Sequence, residues 1–169
     1  MIEQEPKAAV TLIEALAEEF RVLSRVSGEK LIPLGQEIEL CRAHLRVMSL
    51  RKGATCTLTT AGTDERALVP PALFHTLIEN GLTHLLPRDG QQRFELDAAV
   101  EGGRARYVMR AHGERPTPVP GSGTRAGTGL RYIEARLEES FPGDWRCTSG
   151  PTAEGWETHL EMRRATLAQ

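Results

Sequence analysis

The sequence has few aromatic residues, no excess of charge of either sign and no long apolar run. Aromatic residues make up 5% of its 169 residues, and the net charge is −2. A dedicated nucleic-acid-binding domain usually carries a strong basic excess, so the balance argues against that class. No uncharged apolar run approaches the roughly 18 residues of a bilayer span, and the acidic, polar start is unlike a secretory signal. Hydrophobic residues at 40% and charged residues at 26% are typical of a soluble globular domain, which we expect in the cytoplasm.

Motifs for several common sites are also missing. The three cysteines, Cys41, Cys56 and Cys147, are widely spaced and odd in number, and none of the five histidines pairs with another at i+3 or i+4. These spacings predict buried structural thiols and no zinc site. There is no Gly-Lys dipeptide either, which excludes a Walker phosphate-binding loop.

Apolar spacing predicts two consecutive helices at the start of the chain. The first begins near Pro6, ends before Gly28 and has an apolar stripe at Val10, Ile13, Leu16, Phe20 and Leu23. The second covers about 34–48, with its stripe at Leu34, Ile38, Cys41, Leu45 and Met48. Narrow stripes fit a helical hairpin with a coiled-coil-like seam. An ordinary pair of helices packed on the same core fits them equally well.

Strand and helix signals alternate after Gly53. Patterns predict a strand from Thr55, a helix over 72–84 after two prolines, a hairpin around Glu101-Gly-Gly103, a helix over 130–140 and a final hairpin. Hairpin-connected strands separated by helices favour an α+β two-layer sandwich, in which helices cover one face of a mixed, mainly antiparallel sheet. We expect a helical segment over 1–53 and the sandwich over 54–169.

A glycine-rich and proline-rich loop separates the two hairpins. Residues 112–129 hold five of the sixteen glycines and three of the ten prolines, so they form an exposed loop. Its end, Gly127-Thr-Gly129, directly precedes a helix, where free backbone N–H groups can bind an anion. A flexible linker explains the same composition.

Polar residues interrupt the apolar stripe of the third helix. Glu79, Asn80 and His84 share one side, because positions one and four residues from Asn80 lie within about 100° of it. A solvated helix face is the ordinary explanation for such a group, and a binding site is the alternative.

Three segments in order resemble the cytoplasmic region of LytS/AlgZ-type sensor histidine kinases. They are Leu31-Ile-Pro-Leu-Gly-Gln-Glu-Ile-Glu-Leu-Cys-Arg-Ala-His-Leu45, Val69-Pro-Pro-Ala-Leu-Phe-His-Thr-Leu-Ile-Glu-Asn-Gly-Leu-Thr-His84 and Gly127-Thr-Gly-Leu-Arg-Tyr-Ile-Glu-Ala-Arg-Leu137. The resemblance extends over the chain from about residue 8. It implies a Bergerat (GHKL) fold that binds ATP beneath a mobile lid, here residues 114–126.

The resemblance also implies roles for individual residues. Asn80 matches the asparagine that holds magnesium against the phosphates, Glu79 a base-like carboxylate, and His84 a polar position near the phosphates. The second glycine box, with its phosphate-cradling backbone amides, is matched by Gly127, Thr128, Gly129 and Leu130. Oxygen ligands suit magnesium, and helix-terminal amides suit phosphate.

The sequence departs from the family at the Asp-x-Gly box. Gly113 is retained, but Ala111 stands where the family has an aspartate that accepts a hydrogen bond from the adenine amino group. An alanine accepts no hydrogen bond, and losing such a contact costs about 1–3 kcal/mol. Arg110 and Arg115 could bind phosphate instead, although solvated arginines are the ordinary explanation.

The family's phosphoacceptor histidine is also missing. None of His44, His75, His84, His112 and His159 has the expected neighbours, and we expect His44 at the surface. The chain is therefore a fragment or a stand-alone relative.

Two functions remain open. The first is the ATP-binding catalytic region of a histidine kinase, with ATP and Mg as cofactors. It would transfer phosphate to a histidine outside the chain, form a homodimer through the helical segment and act on a response regulator. The alternative is a degenerate, non-catalytic module for dimerisation or regulator docking, which Ala111 favours. A GHKL-type anti-sigma or ATPase module is a weaker third possibility. None of these needs a nucleic-acid partner or direct membrane contact.

Overall fold

The structure, a computed structural model, describes residues 4–117 and 128–167. Most of the segment expected to form a lid, residues 114–126, and Gly127 lie outside these ranges. The elements in chain order are α1 (Gln4–Val26), β1 (Ile32–Pro33), α2 (Leu34–Lys52), β2 (Thr55–Ala61), β3 (Leu68–Val69), α3 (Leu73–His84), β4 (Gln91–Glu101), β5 (Arg104–His112), α4 (Thr128–Ser140), β6 (Trp145–Thr152) and β7 (Gly155–Arg163).

The main sheet has five strands in the order β2-β4-β5-β7-β6. The β2–β4 pair is parallel and the other three pairs are antiparallel, so the sheet is mixed and mainly antiparallel, as predicted. A tight turn joins β4 to β5 at Gly102 and Gly103, which both have positive φ (58° and 76°). Strands β1 and β3 form a separate two-stranded sheet. The α+β prediction is confirmed.

The two faces of the main sheet differ in chemistry. One face carries buried apolar side chains, including Phe94, Tyr107 and Met109, and shares one apolar cluster with α3 and α4. The opposite face carries ion pairs such as Arg110 with Asp97 and Glu157. This alternation along each strand leaves one face solvated and the other packed beneath helices.

The two N-terminal helices bury different kinds of surface. In α2 the predicted stripe is buried at Leu34, Ile38, Cys41 and Leu45. In α1 the predicted stripe (Val10, Ile13, Leu16, Phe20, Leu23) is exposed, and Ala15, Val22 and Val26 face the core instead. Of the two alternatives, packing of the α1 stripe on the core of the same chain is therefore wrong. No other part of the described chain covers the larger apolar face of α1.

Helix α2 lies in the same apolar cluster as the sheet and α3. The chain changes from helices to strands near residue 53, between the end of α2 and the start of β2. A domain boundary at this point remains a proposal. Among the helices within residues 4–117 and 128–167, none is long and apolar enough to cross a bilayer.

A buried carboxylate from α2 caps α3. Glu37 is fully buried and accepts hydrogen bonds from the backbone N–H groups of Ala72, Phe74 and His75, at 2.8–3.0 Å. Ala72, just before the helix, has a left-handed φ of 61°. Because the first N–H groups of a helix have no partner within it, Glu37 satisfies donors that would otherwise be buried and unpaired.

Replacing Glu37 by glutamine tests the charge of this cap. Burial raises the pKa of Glu37 from 4.5 to about 7, while the N–H donors and Arg136 act in the opposite direction. The folded chain therefore binds more protons than the unfolded chain between these pH values. The stability that Glu37 contributes is complete below pH 4.5 and falls as the pH rises through 7.

Urea unfolding of both proteins at several pH values from acid to pH 8 measures this effect. As the pH rises across this range, the free energy of unfolding of the wild type should fall by up to about 3 kcal/mol more than that of Glu37→Gln. Parallel pH profiles for the two proteins would show that the buried carboxyl does not titrate there.

Candidate functional site

Asn80 on α3 lies directly against the first turn of α4. A Cβ atom built on Gly129 would be 2.1 Å from Asn80 Nδ2 and 2.4 Å from its Oδ1. Such distances are far below van der Waals contact, so glycine at 129 allows the two helices to meet here. The structure thus brings together the predicted asparagine and the predicted glycine box.

The N-terminus of α4 supplies the second half of this arrangement. The helix begins at Thr128, so the backbone N–H groups of its first turn, including those of Gly129 and Leu130, have no partner within the helix. Their partial positive charge favours an anion. An amide side chain beside free helix-terminal N–H groups can hold a phosphate and its metal ion.

The polar residues of α3 turn toward different neighbours. Glu79 is 55% exposed, and its Oε1 lies 3.6 Å from Nε2 of His44 on α2. Asn80 is half-buried against α4, whereas His84, one turn later, is exposed. The predicted polar side therefore divides into a carboxylate facing α2 and an amide facing α4.

Ala111 lies where α3 contacts the sheet. A Cβ atom on Gly81, next to Asn80, would be 2.5 Å from the Phe94 ring and 3.0 Å from Cβ of Ala111. Phe94 is fully buried and Ala111 is buried. The position predicted to read adenine is thus apolar and covered by helix.

Gln92 offers a polar atom on the same face of the sheet. Phe94 pairs with Ala111, so Gln92, two residues earlier on β4, is a diagonal neighbour of Ala111. Gln92 Nε2 donates to the carbonyl oxygens of Gly81 and Leu85, at 3.0 and 3.4 Å. Its Oε1 is buried and has no hydrogen-bond partner within residues 4–117 and 128–167. Sequence reasoning missed this residue, although its alternation with Phe94 and Leu96 points it inward.

Gly113 and the two arginines lie away from the Asn80–Gly129 contact. Gly113 packs against the chain just after α3, since a Cβ there would be 2.7 Å from the Leu86 carbonyl oxygen. Arg110 forms ion pairs with Asp97 and Glu157 on the solvated face, and Arg115 is exposed. The phosphate-binding alternative for Arg110 is therefore wrong, because neighbouring strand residues point to opposite faces. A hollow of about 270 Å³ reaches Gly113 but is lined mainly by charged residues of strand ends and loops.

His44 is buried, contrary to the surface position expected from sequence. It is 8% exposed, and its Nδ1 lies 2.6 Å from Oε1 of Glu19 on α1. The ring of His75 on α3 lies beside it in a tilted arrangement, with ring centroids 4.5 Å apart and an interplanar angle of 57°. Three helices that are distant in sequence bring these groups together, so no spacing motif could reveal them.

Comparisons with known proteins place the fold. No protein-family model and no curated protein matches the chain. Several solved structures do. The histidine kinase domain of the EL346 blue-light activated histidine kinase from Erythrobacter litoralis is 16% identical, with a TM-score of 0.55 over 92% of this chain and 74% of that chain. The fold is that of histidine kinase catalytic domains.

Two further structures agree with this. The catalytic domain of histidine kinase ThkA is 11% identical, with a TM-score of 0.58 over 81% of this chain and 97% of that chain. The histidine kinase AdeS from Acinetobacter baumannii is 13% identical, with a TM-score of 0.56 over 91% and 79%. Identities this low establish architecture; the chemistry of the site rests on its own residues.

Proposed function

We propose that the chain is the ATP-binding catalytic region of a LytS/AlgZ-type sensor histidine kinase. It would hold ATP so that the γ-phosphate passes to a histidine outside this chain. The observation that carries the proposal is the contact of Asn80 with Gly129, because it places a metal-ligating amide beside the free N–H groups of a helix. Kinase catalytic domains share the fold.

The proposed roles follow from side-chain chemistry. Asn80 Oδ1 would be a hard oxygen ligand for Mg²⁺. The backbone amides of Thr128, Gly129 and Leu130 would bind the phosphates at the start of α4, and Gly127, which the sequence also predicts for this role, lies outside the described residues. Glu79 is exposed beside Asn80 and can accept a proton from an incoming histidine. His84 lies one helical turn beyond Asn80 and is exposed, so it could reach the phosphates, and Gly113 lets β5 approach the end of α3.

The described residues fit the two ends of ATP differently. At the phosphate end, glycine at 129 leaves the close approach that a side chain would fill. At the adenine end Ala111 accepts no hydrogen bond, and among the described residues a buried acceptor without a partner on that face is Gln92 Oε1. The chemistry of these residues therefore suits ATP with Mg²⁺, with weaker recognition of adenine than a carboxylate would give.

Replacing Gly129 by alanine tests the observation on which the proposal rests. The added Cβ would overlap Asn80 and displace its side chain. We expect the affinity for Mg-ATP to fall at least tenfold, because the metal ligand and the amides no longer converge. Isothermal titration with ATP in magnesium measures the change.

Gly150 supplies the matched control. A Cβ at this glycine meets nothing within 4 Å, so Gly150→Ala should bind Mg-ATP like the wild type. If Gly129→Ala also binds like the wild type while remaining folded, the nucleotide site lies elsewhere.

The second candidate is a degenerate module that docks a partner without binding ATP. Ala111 favours it, because the adenine-reading carboxylate is absent and the position is covered. In that case neither the wild type nor Gly129→Ala would bind ATP, with or without magnesium, while both would still dimerise.

We propose that α1 joins two copies of the chain. Its five exposed apolar side chains (Val10, Ile13, Leu16, Phe20, Leu23) form a stripe along the helix, on the side away from the core. An exposed stripe at this spacing matches the seam of a helical bundle. Residues 1–53 would then contribute a dimerisation region, in a cytoplasmic protein that acts on a response regulator.

Replacing Phe20 by glutamate should convert the dimer to a monomer. Phe20 is 70% exposed in the single chain, so the change costs little within one chain and places a charge in the seam. We expect the dissociation constant of the dimer, measured by analytical ultracentrifugation, to rise at least tenfold. Arg21→Gln, about 100° away around the helix, is the control and should remain dimeric. A wild type that sediments as a monomer at high concentration would exclude this interface.

A further inference from the structure

One polar cluster lies outside the proposed nucleotide site and is buried among three helices. It consists of Glu19 on α1, His44 on α2 and His75 on α3. Glu19 Oε1 lies 2.6 Å from His44 Nδ1 and 3.7 Å from His75 Nε2. One potential ligand atom from each residue lies within 4.8 Å of the other two.

These spacings suit a tetrahedral metal ion. With metal–ligand bonds of 2.0–2.1 Å, neighbouring ligand atoms in a tetrahedron are about 3.3 Å apart. The observed separations lie on either side of this value, so small side-chain rotations would bring the three atoms onto one ion. Ligands from three helices hold the geometry better than ligands on a loop.

The surroundings favour the ligand form of the histidines. His44 is buried and His75 half-buried, with rings 4.5 Å apart, so two protonated imidazoles would repel each other. Burial, followed by the neighbouring His44, lowers the pKa of His75. A metal ion binds imidazole in its neutral form, and burial beside a second imidazole favours that form for His75.

A second carboxylate completes the arrangement. While Nδ1 of His44 faces Glu19, its Nε2 faces Glu79 Oε1 at 3.6 Å, beyond hydrogen-bond distance, and Glu79 is 55% exposed, so a small rotation of this side chain would bring the two atoms together. Histidines that bind zinc usually donate their other ring N–H to a carboxylate, which fixes the tautomer and strengthens the ligand. A plain Glu19–His44 hydrogen bond explains neither the position of His75 nor that of Glu79.

We propose that Glu19, His44 and His75 bind a zinc ion, with a water molecule as the fourth ligand. Two imidazoles and one carboxylate suit Zn²⁺ better than Mg²⁺ or Ca²⁺, which prefer all-oxygen sites. The ion would fasten α1 to α2 and α3, at a point where α1 otherwise contributes the small side chains Ala15 and Val22. Glu79 would then link this ion to the helix that carries Asn80.

Titration of the metal-free protein with ZnCl₂ tests the site. We expect one equivalent to bind with a submicromolar dissociation constant and to raise the melting temperature. CoCl₂ as a probe should give the intense visible absorption of tetrahedral cobalt. Both readouts are independent of ATP and of the proposed kinase function.

Variants separate this site from adventitious binding. His75→Ala and the near-isosteric Glu19→Gln should each weaken zinc binding at least a hundredfold, and Glu79→Gln about tenfold. His159→Ala is the control, because His159 is exposed on the sheet, and it should bind zinc like the wild type. Circular dichroism of each metal-free variant verifies folding. Wild-type binding weaker than millimolar, an octahedral cobalt spectrum, or unchanged affinity in folded Glu19→Gln would overturn the proposal.

Discussion

Asn80→Ala is expected to remove the magnesium dependence of nucleotide binding. Asn80 is the only asparagine in the sequence, and it contacts the N-terminal turn of α4. Alanine offers no oxygen ligand, so the metal ion can no longer be held between protein and phosphates. The dissociation constant for ATP in magnesium should rise to the value measured in EDTA, a change of at least a hundredfold.

Thr83→Ala is the control for this experiment. Thr83 is exposed on the same helix, so its replacement should change neither ATP affinity nor its dependence on magnesium. Retained magnesium dependence in Asn80→Ala would mean that the ion is bound by other residues.

Ala111→Asp is expected to strengthen ATP binding by about ten- to a hundredfold. The new carboxylate would accept a hydrogen bond from the adenine amino group, a contact worth about 1–3 kcal/mol. Without nucleotide the same residue would place a charge against Gly81 and Phe94, so the melting temperature should fall. ATP should then stabilise this variant more than the wild type.

Comparison with GTP shows whether the gain comes from base recognition. Guanine has a carbonyl oxygen where adenine has its amino group, so the affinity for GTP should not rise. Ala99→Asp, on an exposed part of β4, should leave both affinities unchanged. An equal gain for ATP and GTP would show that Ala111 does not face the base.

The sequence predicted the elements whose signal is local. Apolar spacing predicted a helix over 72–84, and α3 covers Leu73–His84 with its apolar stripe buried at Leu73, Leu77, Ile78 and Leu82. The glycine pair at 102–103 located the β4–β5 turn for the same reason, since a tight turn needs positive φ. Patterns of this kind depend on neighbours within a few residues.

Features that depend on distant partners were not predictable from spacing. The stripe on α1 is real, but the sequence does not say whether it meets the core or a second chain. The cap of α3 joins Glu37 to residues at least 35 positions away in the sequence. The contact of Glu19 with His44 joins residues 25 positions apart. The Asn80–Gly129 contact also depends on how α4 packs, and the resemblance to a family supplied it where periodicity could not.

We propose that this chain binds ATP through Asn80 and the start of α4. Titration of the unmodified protein with a fluorescent ATP analogue, in magnesium and then in EDTA, is the direct test. We expect saturable binding in magnesium, with a dissociation constant of about 10–100 μM, displacement by unlabelled ATP, and at least a hundredfold weaker binding in EDTA. No saturable binding up to millimolar concentrations, or equal binding with and without magnesium, would contradict it.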